Sequence, residues 1–335
     1  MARLAVSDRI VTVFGGSGFL GRHVVGALAE RGWRIRVAVR RPELASYLRV
    51  LGAVGQINEV QANLRHMGSI RAALDGADAA VNLVGIAYER GRQRFAEVHV
   101  AGARRVAEAA AAAGATAMVH VSALGAEADA PSAYARSKAA GERAVHAAFP
   151  DAVIVRPSLV FGPEDQLFNR FAAMARLSPA MPLVCGASRF QPVFCDDAAK
   201  AVALALEGRA APGTVYEIGG PEIRTMEEIV RYTLAVTGRR RLVVPVPTFL
   251  ARLVGRIGQL LPTPPLTADQ VAQLAVDNLV SSAATGAGRT LDGLGIRATA
   301  IEVVVPSYLY QYRRTGQFDP SVPAEIDAPG NYPVP

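Results

Sequence analysis

Cysteine is almost absent from this chain. Cys185 and Cys195 are the two in 335 residues, too few for a disulfide framework and without the spacing of a zinc site. The five histidines, His23, His66, His99, His120 and His146, are scattered without ligand spacing. These shortages exclude a disulfide-stapled secreted module and point to a reduced, metal-free, cytoplasmic protein. No secretory leader is visible before the strand-like run that begins at Ile10. No uncharged apolar run reaches the ~18 residues needed to cross a bilayer, so any membrane association is expected to be peripheral or through a partner. Aromatic residues are scarce at 6%, while alanine, valine and leucine dominate. That composition suits close-packed helices on a parallel sheet. The formal charge of +7 comes almost entirely from arginine. The arginines are dispersed, with no polybasic run and no nucleic-acid motif, so the expected anionic partners are phosphate groups, acidic protein surfaces or lipid headgroups, and not nucleic acid.

What is present is a regular alternation of strand and helix patterns. Ile10–Phe14, Arg34–Val39, Gln56–Gln61, Ala79–Val84, Ala117–Val121 and Val153–Val155 read as strands. Helical spacing fills the gaps at Leu20–Arg31, Leu44–Gly52, Ser69–Asp75, Gln93–Ala113 and Ala133–Ala148. Strands separated by helices mean βαβ units with right-handed crossovers, hence an α/β doubly wound parallel sheet of the Rossmann type. The expected organisation is a dinucleotide-binding core over 1–160, the remaining strands with a smaller C-terminal lobe over 161–312, and an extended proline-rich tail over 313–335.

The strongest local signal is Val11 to Gly21. Gly15, Gly18 and Gly21 stand in a GxxGxxG spacing directly after the first strand and at the mouth of the first helix. Such glycines allow a tight turn, close backbone approach to a pyrophosphate, and close packing of helix on strand. Ser17, Phe19 and Leu20 belong to the same cradle, at the positive end of the helix. The end of the second strand carries Arg40 and Arg41 and no acid before Glu43. An acid there would hold a ribose hydroxyl, whereas arginine suits a 2′-phosphate, so NADP(H) is expected over NAD(H).

Four stretches together resemble the extended short-chain dehydrogenases/reductases: the glycine segment, Asn82 to Gly85, Tyr134 to Lys138, and Arg156 to Pro163. Val54 to Ile57, Gln61 to Arg65, Phe190 to Val193 and Pro306 to Leu309 further resemble one atypical branch, the nucleotide-binding accessory subunits of respiratory complex I. The resemblance implies that Asn63 and Leu64 contact adenine, that Leu83, Val84 and Gly85 line the nicotinamide half, that Tyr134 and Lys138 hold the nicotinamide ribose, and that Pro157 to Leu159 lie near the carboxamide. It also implies other complex I subunits as partners. The implied place is peripheral, on the cytoplasmic face of a bacterial inner membrane or the matrix side in a mitochondrion.

Tyr134 and Lys138 share one helix face, and a nearby ammonium would lower the phenol's pKa for proton transfer. The pair could equally serve only to hold the ribose. The third member is missing, because the strand ends Val121-Ser122-Ala123 and the resemblance places Ala123 at the catalytic hydroxyl position. Ser122, one residue early, is expected to face away. His99 stands where the family carries asparagine, and reads as packed or capping. Asp196 and Asp197 read as acids at a helix start. The expectation is therefore a non-catalytic NADP(H)-binding subunit with a structural, assembly or sensing role; the alternative is an active oxidoreductase or epimerase on a lipid-like or quinone-like substrate. In the C-terminal lobe, Phe249, Leu250, Leu253, Val254, Ile257, Leu260 and Leu261 form one apolar helical stripe opposite Arg252, Arg256 and Gln259. It fits either a helix packed on its own core or an amphipathic helix docked on a membrane or a partner.

Overall fold

A computed structural model describes residues 5–259, 261, 264 and 266–316. Two compact units emerge. The first holds 1–157, 196–218 and 280–297; the second holds 158–195, 219–279 and 298–335. The extended tail expected from 313 onward lies outside the described residues beyond 316.

The first unit opens with β1 (Ile10–Phe14), α1 (Phe19–Glu30) and β2 (Arg34–Val39). Two short 3₁₀ turns, Pro42–Leu44 and Ser46–Leu51, replace the single helix expected over 44–52. Then follow β3 (Ile57–Gln61), α2 (Met67–Leu74) and β4 (Ala79–Asn82). The long helix expected over 93–113 is divided into a π-helical stretch, Ala96–Gly102, and α3, Ala103–Ala112. β5 (Ala117–Val121), α4 (Ala133–Ala148) and β6 (Val153–Pro157) complete the run.

In the second unit, β7 (Val160–Phe161), α5 (Phe168–Leu177), β8 (Ala180–Val184), β9 (Arg189–Phe190) and β10 (Val193–Phe194) come next. The chain then returns to the first unit through α6 (Cys195–Leu206) and β11 (Val215–Ile218), before β12 (Arg224–Thr225), α7 (Met226–Val236), β13 (Leu242–Val246), α8 (Thr248–Gly258) and α9 (Ala268–Leu274) extend the second; short helices α10 (Ser282–Gly286), in the first unit, and α11 (Ile301–Val304) and α12 (Pro306–Leu309), in the second, follow.

The sheet of the first unit has seven strands in the order β11-β6-β5-β4-β1-β2-β3, every pair parallel. Order reverses between β1 and β4, the switch point at which doubly wound sheets open a crevice beyond the carboxyl ends of the strands. Helices and sheet share a core of Phe14, Ile70, Leu74, Met118 and Ile154 with many alanines, among them Ala107 and Ala110. These small side chains let helices lie close to the sheet, as the composition anticipated. Arg156 on β6 donates twice to the Glu142 carboxylate at 2.9 and 2.7 Å and lies 3.6 Å from Glu217 on β11, tying α4 to the sheet edge. The acids in the first turn of α6 have side-chain partners: Asp196 meets His23 Nδ1 on α1 at 2.6 Å, and Asp197 is buried, 3.6 Å from Lys200.

The second unit has its own core, with Phe161, Phe168, Met181, Ile229 and Leu309. The buried Asp165 carboxylate accepts from the Tyr308 hydroxyl at 2.5 Å and from the Leu167 and Asn169 amides, which fixes the start of α5. Thr225 and Glu228 form a capping box on α7.

Candidate functional site: a groove at the switch point

At the switch point lies a groove of about 310 Å³ within the first unit. Its floor follows from the glycines. Gly15 has φ +82°, which favours glycine. A Cβ on Gly21 would stand 2.2 Å from the Gly15 carbonyl oxygen and 2.8 Å from Gly16 backbone atoms, so only hydrogen fits where α1 meets the turn. Gly18 is the N-cap of α1; no side chain caps this end and no acid sits in the first turn. The first-turn amides and the helix dipole are therefore available to an anion. This cradle suits a diphosphate.

Gly15, Ser17 and Gly18 line the groove, as do Arg40, Asn63, Leu64, Leu83, Val84 and Gly85. Strand ends explain the gathering: β1, β2, β3 and β4 are neighbours and each delivers its last residues to one rim. Phe19, Leu20 and Gly21, in the first turn of α1, do not line the groove. Arg41 is exposed before Pro42 and lies outside the lining, while Arg65 and Arg92, not singled out from the sequence, are inside it. Asn63 sets up Arg65 through a local turn, its Oδ1 accepting from the Arg65 amide at 3.1 Å. That Asn-x-Arg spacing was the available signal.

Tyr134, Lys138, Pro157 and Leu159 do not line the groove. Lys138 is buried and its ammonium donates to the Val121 carbonyl at 3.0 Å. It abuts Gly85, where a Cβ would lie 3.5 Å from Nζ. Burial lowers its pKa to about 8, partly offset by Glu142. Burial also raises the Tyr134 phenol to about 12, opposite to the lowering that the four-residue spacing suggested. The phenol lies edge-on to Phe95 and His99, ring centroids 5.9 and 5.4 Å away. Desolvation of the buried phenol alone sets this direction.

His99 is buried and neutral. The Ile86 amide donates to Nε2 at 3.0 Å, which leaves the proton on Nδ1, 2.8 Å from Ser137 Oγ. Burial and the Lys138 charge lower its pKa to about 3. It is thus a packed residue that organises the loop after β4. Ser122 Oγ is buried without a hydrogen-bond partner among the described residues, and neither Ser122 nor Ala123 lines the groove. Pro157 ends β6, its carbonyl accepting from the Leu124 amide, and Leu159 packs on the core of the second unit.

In the second unit, α8 buries Ala251, Gly255 and Gly258, and a Cβ on Gly255 would lie 2.6 Å from the Ala268 amide of α9. The helix therefore packs through its small residues. The large apolar stripe faces solvent, with Phe249 at 70% and Ile257 at 63% exposure beside Leu250, Leu253, Val254 and Leu261. Leu260 lies outside the described residues. Among the described residues, no helix is long and apolar enough to cross a membrane.

A parallel sheet ordered about a switch point, with a glycine cradle and arginines at its rim, defines a Rossmann protein that binds a nicotinamide dinucleotide. The chain belongs to the NAD dependent epimerase/dehydratase family, whose model matches residues 11–219, and within it to the branch of the complex I subunits. It is 33% identical over 93% of its length to the mitochondrial NADH dehydrogenase (ubiquinone) 1 alpha subcomplex subunit 9 of Rattus norvegicus, covering 82% of that protein. It is 41% identical over 194 residues, 57% of this chain and 58% of the relative, to the ceramide reductase of Caulobacter vibrioides. The fold superposes with a TM-score of 0.70 on an NADPH-dependent quinone oxidoreductase of Escherichia coli in complex with NADPH, over 90% of this chain and 99% of that one, at 18% identity.

Proposed function

We propose that this protein is an NADP(H)-binding accessory subunit of respiratory complex I that does not itself turn over substrate. The observation that carries it is the likeness to complex I subunits over nearly the whole chain, in a molecule whose Tyr134 phenol is not activated and whose strand end bears Ala123. A dinucleotide held in the groove of the first unit would stabilise that unit by mass action and so serve assembly or sensing. The glycine cradle with Ser17, Phe19 and Leu20 would bind the diphosphate. Arg40 is the candidate for the 2′-phosphate, with Arg41 behind it and Arg65 as its partner in the groove. Leu83, Val84 and Gly85 would face the nicotinamide, and Tyr134 and Lys138 would steady its ribose from behind Gly85. The solvent-facing stripe of α8, flanked by Arg252 and Arg256, would rest on a partner subunit or the membrane surface, with the protein peripheral to the membrane.

The test is to solubilise native membranes, separate complexes by size and follow this chain. Comigration with complex I is expected; migration as a free protein overturns the assignment. Charge reversal at Arg252 and Arg256 should loosen the association, and unchanged fractionation would remove α8 from it. Purified protein should bind NADPH more tightly than NADH; equal affinity would remove Arg40 from the 2′-phosphate.

The second reading, an active reductase on a lipid-like substrate, draws on the retained Tyr134 and Lys138 and on the likeness to a ceramide reductase. Oxidation of bound NADPH on adding a long-chain ketone, abolished in Tyr134→Phe, would favour it over the accessory role.

A further inference from the structure

The groove suited to a polyanionic cofactor contains an acid. Glu97 lines it beside Leu64 and Val98, on the π-helical stretch Ala96–Gly102. A bare carboxylate there would repel phosphate. Its charge is balanced by Arg105 of α3, whose Nη1 donates to Glu97 Oε1 at 2.6 Å and to the Leu64 carbonyl at 3.0 Å. The second bond ties guanidinium and carboxylate to the segment leaving β3. Glu97 is held without being covered, its side chain 34% exposed. The π-helical stretch lies close against that segment at Gly102. A Cβ on Gly102 would come within 3.1 Å of the Glu97 carbonyl oxygen and 3.2 Å of Leu64 Cβ.

An ionised carboxylate only accepts hydrogen bonds. The cations lining the groove, Arg40, Arg65 and Arg92, suit phosphates, whereas Glu97 suits a donor. Its nearby walls, Ala62, Leu64 and Val98, are apolar and match a flat heterocycle better than a hydroxyl-rich sugar. We propose that Glu97, clamped by Arg105, accepts a hydrogen bond from the exocyclic amino group of the adenine base and so sets the base preference of the site. The proposal rests on the dinucleotide reading above and adds to it a residue that recognises the base.

The experiment compares NADPH with nicotinamide hypoxanthine dinucleotide phosphate, in which a carbonyl oxygen replaces the amino group, by calorimetry on the wild-type protein and on Glu97→Ala. The wild type should favour NADPH by roughly tenfold or more, the size of a hydrogen bond to a charged group. In Glu97→Ala the ratio should fall to about one, chiefly through weaker NADPH binding. A wild-type ratio near one overturns the proposal and leaves the dinucleotide reading standing, as does a ratio that Glu97→Ala leaves unchanged. Binding of neither compound overturns both. If Glu97→Ala fails to fold, the wild-type ratio decides, since that comparison needs no variant.

Discussion

Two glycines of α1 make opposite predictions, and the difference is set by a few ångströms. At Gly21 an added methyl would stand 2.2 Å from the Gly15 carbonyl and 2.8 Å from Gly16 backbone atoms. Backbone cannot swing aside like a side chain, so Gly21→Ala must push α1 away from the turn. Overpacking of this kind costs about 1–3 kcal/mol. At Gly26, in the same helix, an added methyl meets nothing within 4 Å. There alanine gains helix propensity, ~0.8–1 kcal/mol. The variants should therefore melt on opposite sides of the wild type, by roughly 2–4 °C per kcal/mol. Ligand separates them further. NADPH at about a hundred times its dissociation constant should stabilise the wild type and Gly26→Ala by ~2.7 kcal/mol. Gly21→Ala, its cradle displaced, should lose most of that gain. Differential scanning fluorimetry with and without NADPH reads both effects. A Gly21→Ala protein that melts with the wild type and gains the same ligand shift would refute the argument that this contact builds the cradle.

The buried bases predict a pH profile. Lys138 has its folded pKa lowered to about 8, so from there to its unfolded value near 10.5 the unfolded chain binds more protons and stability rises with pH. Tyr134, raised to about 12, acts in the opposite sense above pH 10. Chemical denaturation should show the rise between pH 8 and 10 in the wild type and not in Lys138→Met; a rise of equal size in that variant would refute the assignment. His99, lowered to about 3, and His120, also lowered by burial, should make stability fall as pH drops below about 6.5, and a profile flat down to pH 4 would contradict their burial as neutral rings. Arg156→Ala strands the Glu142 carboxylate, whose side chain is 8% exposed, and should cost about 3–5 kcal/mol by urea titration; a cost under about 1 kcal/mol would show that the pair is not buried as described.

Much of this was legible in the chain itself. Strand runs such as Ile10–Phe14, Arg34–Val39 and Ala117–Val121 were readable to the residue, because a short apolar run or a two-residue alternation marks a strand, and each ends where glycine or polar residues begin. The Gly15–Gly21 spacing was legible because a diphosphate cradle needs missing Cβ atoms at set intervals. What tertiary structure alone decided concerns direction. The spacing of Tyr134 and Lys138 put both on one helix face, yet burial and the Val121 carbonyl set their pKa values, and both belong to surroundings remote in sequence. Of two adjacent arginines, Arg40 lines the groove and Arg41 does not, since successive residues leave a strand in opposite senses. The apolar stripe of α8 was plain in the periodicity. That its small face, Ala251, Gly255 and Gly258, is the one packed inward could not be read there, because hydrophobic spacing reports a face and not which neighbour comes close enough to cover it.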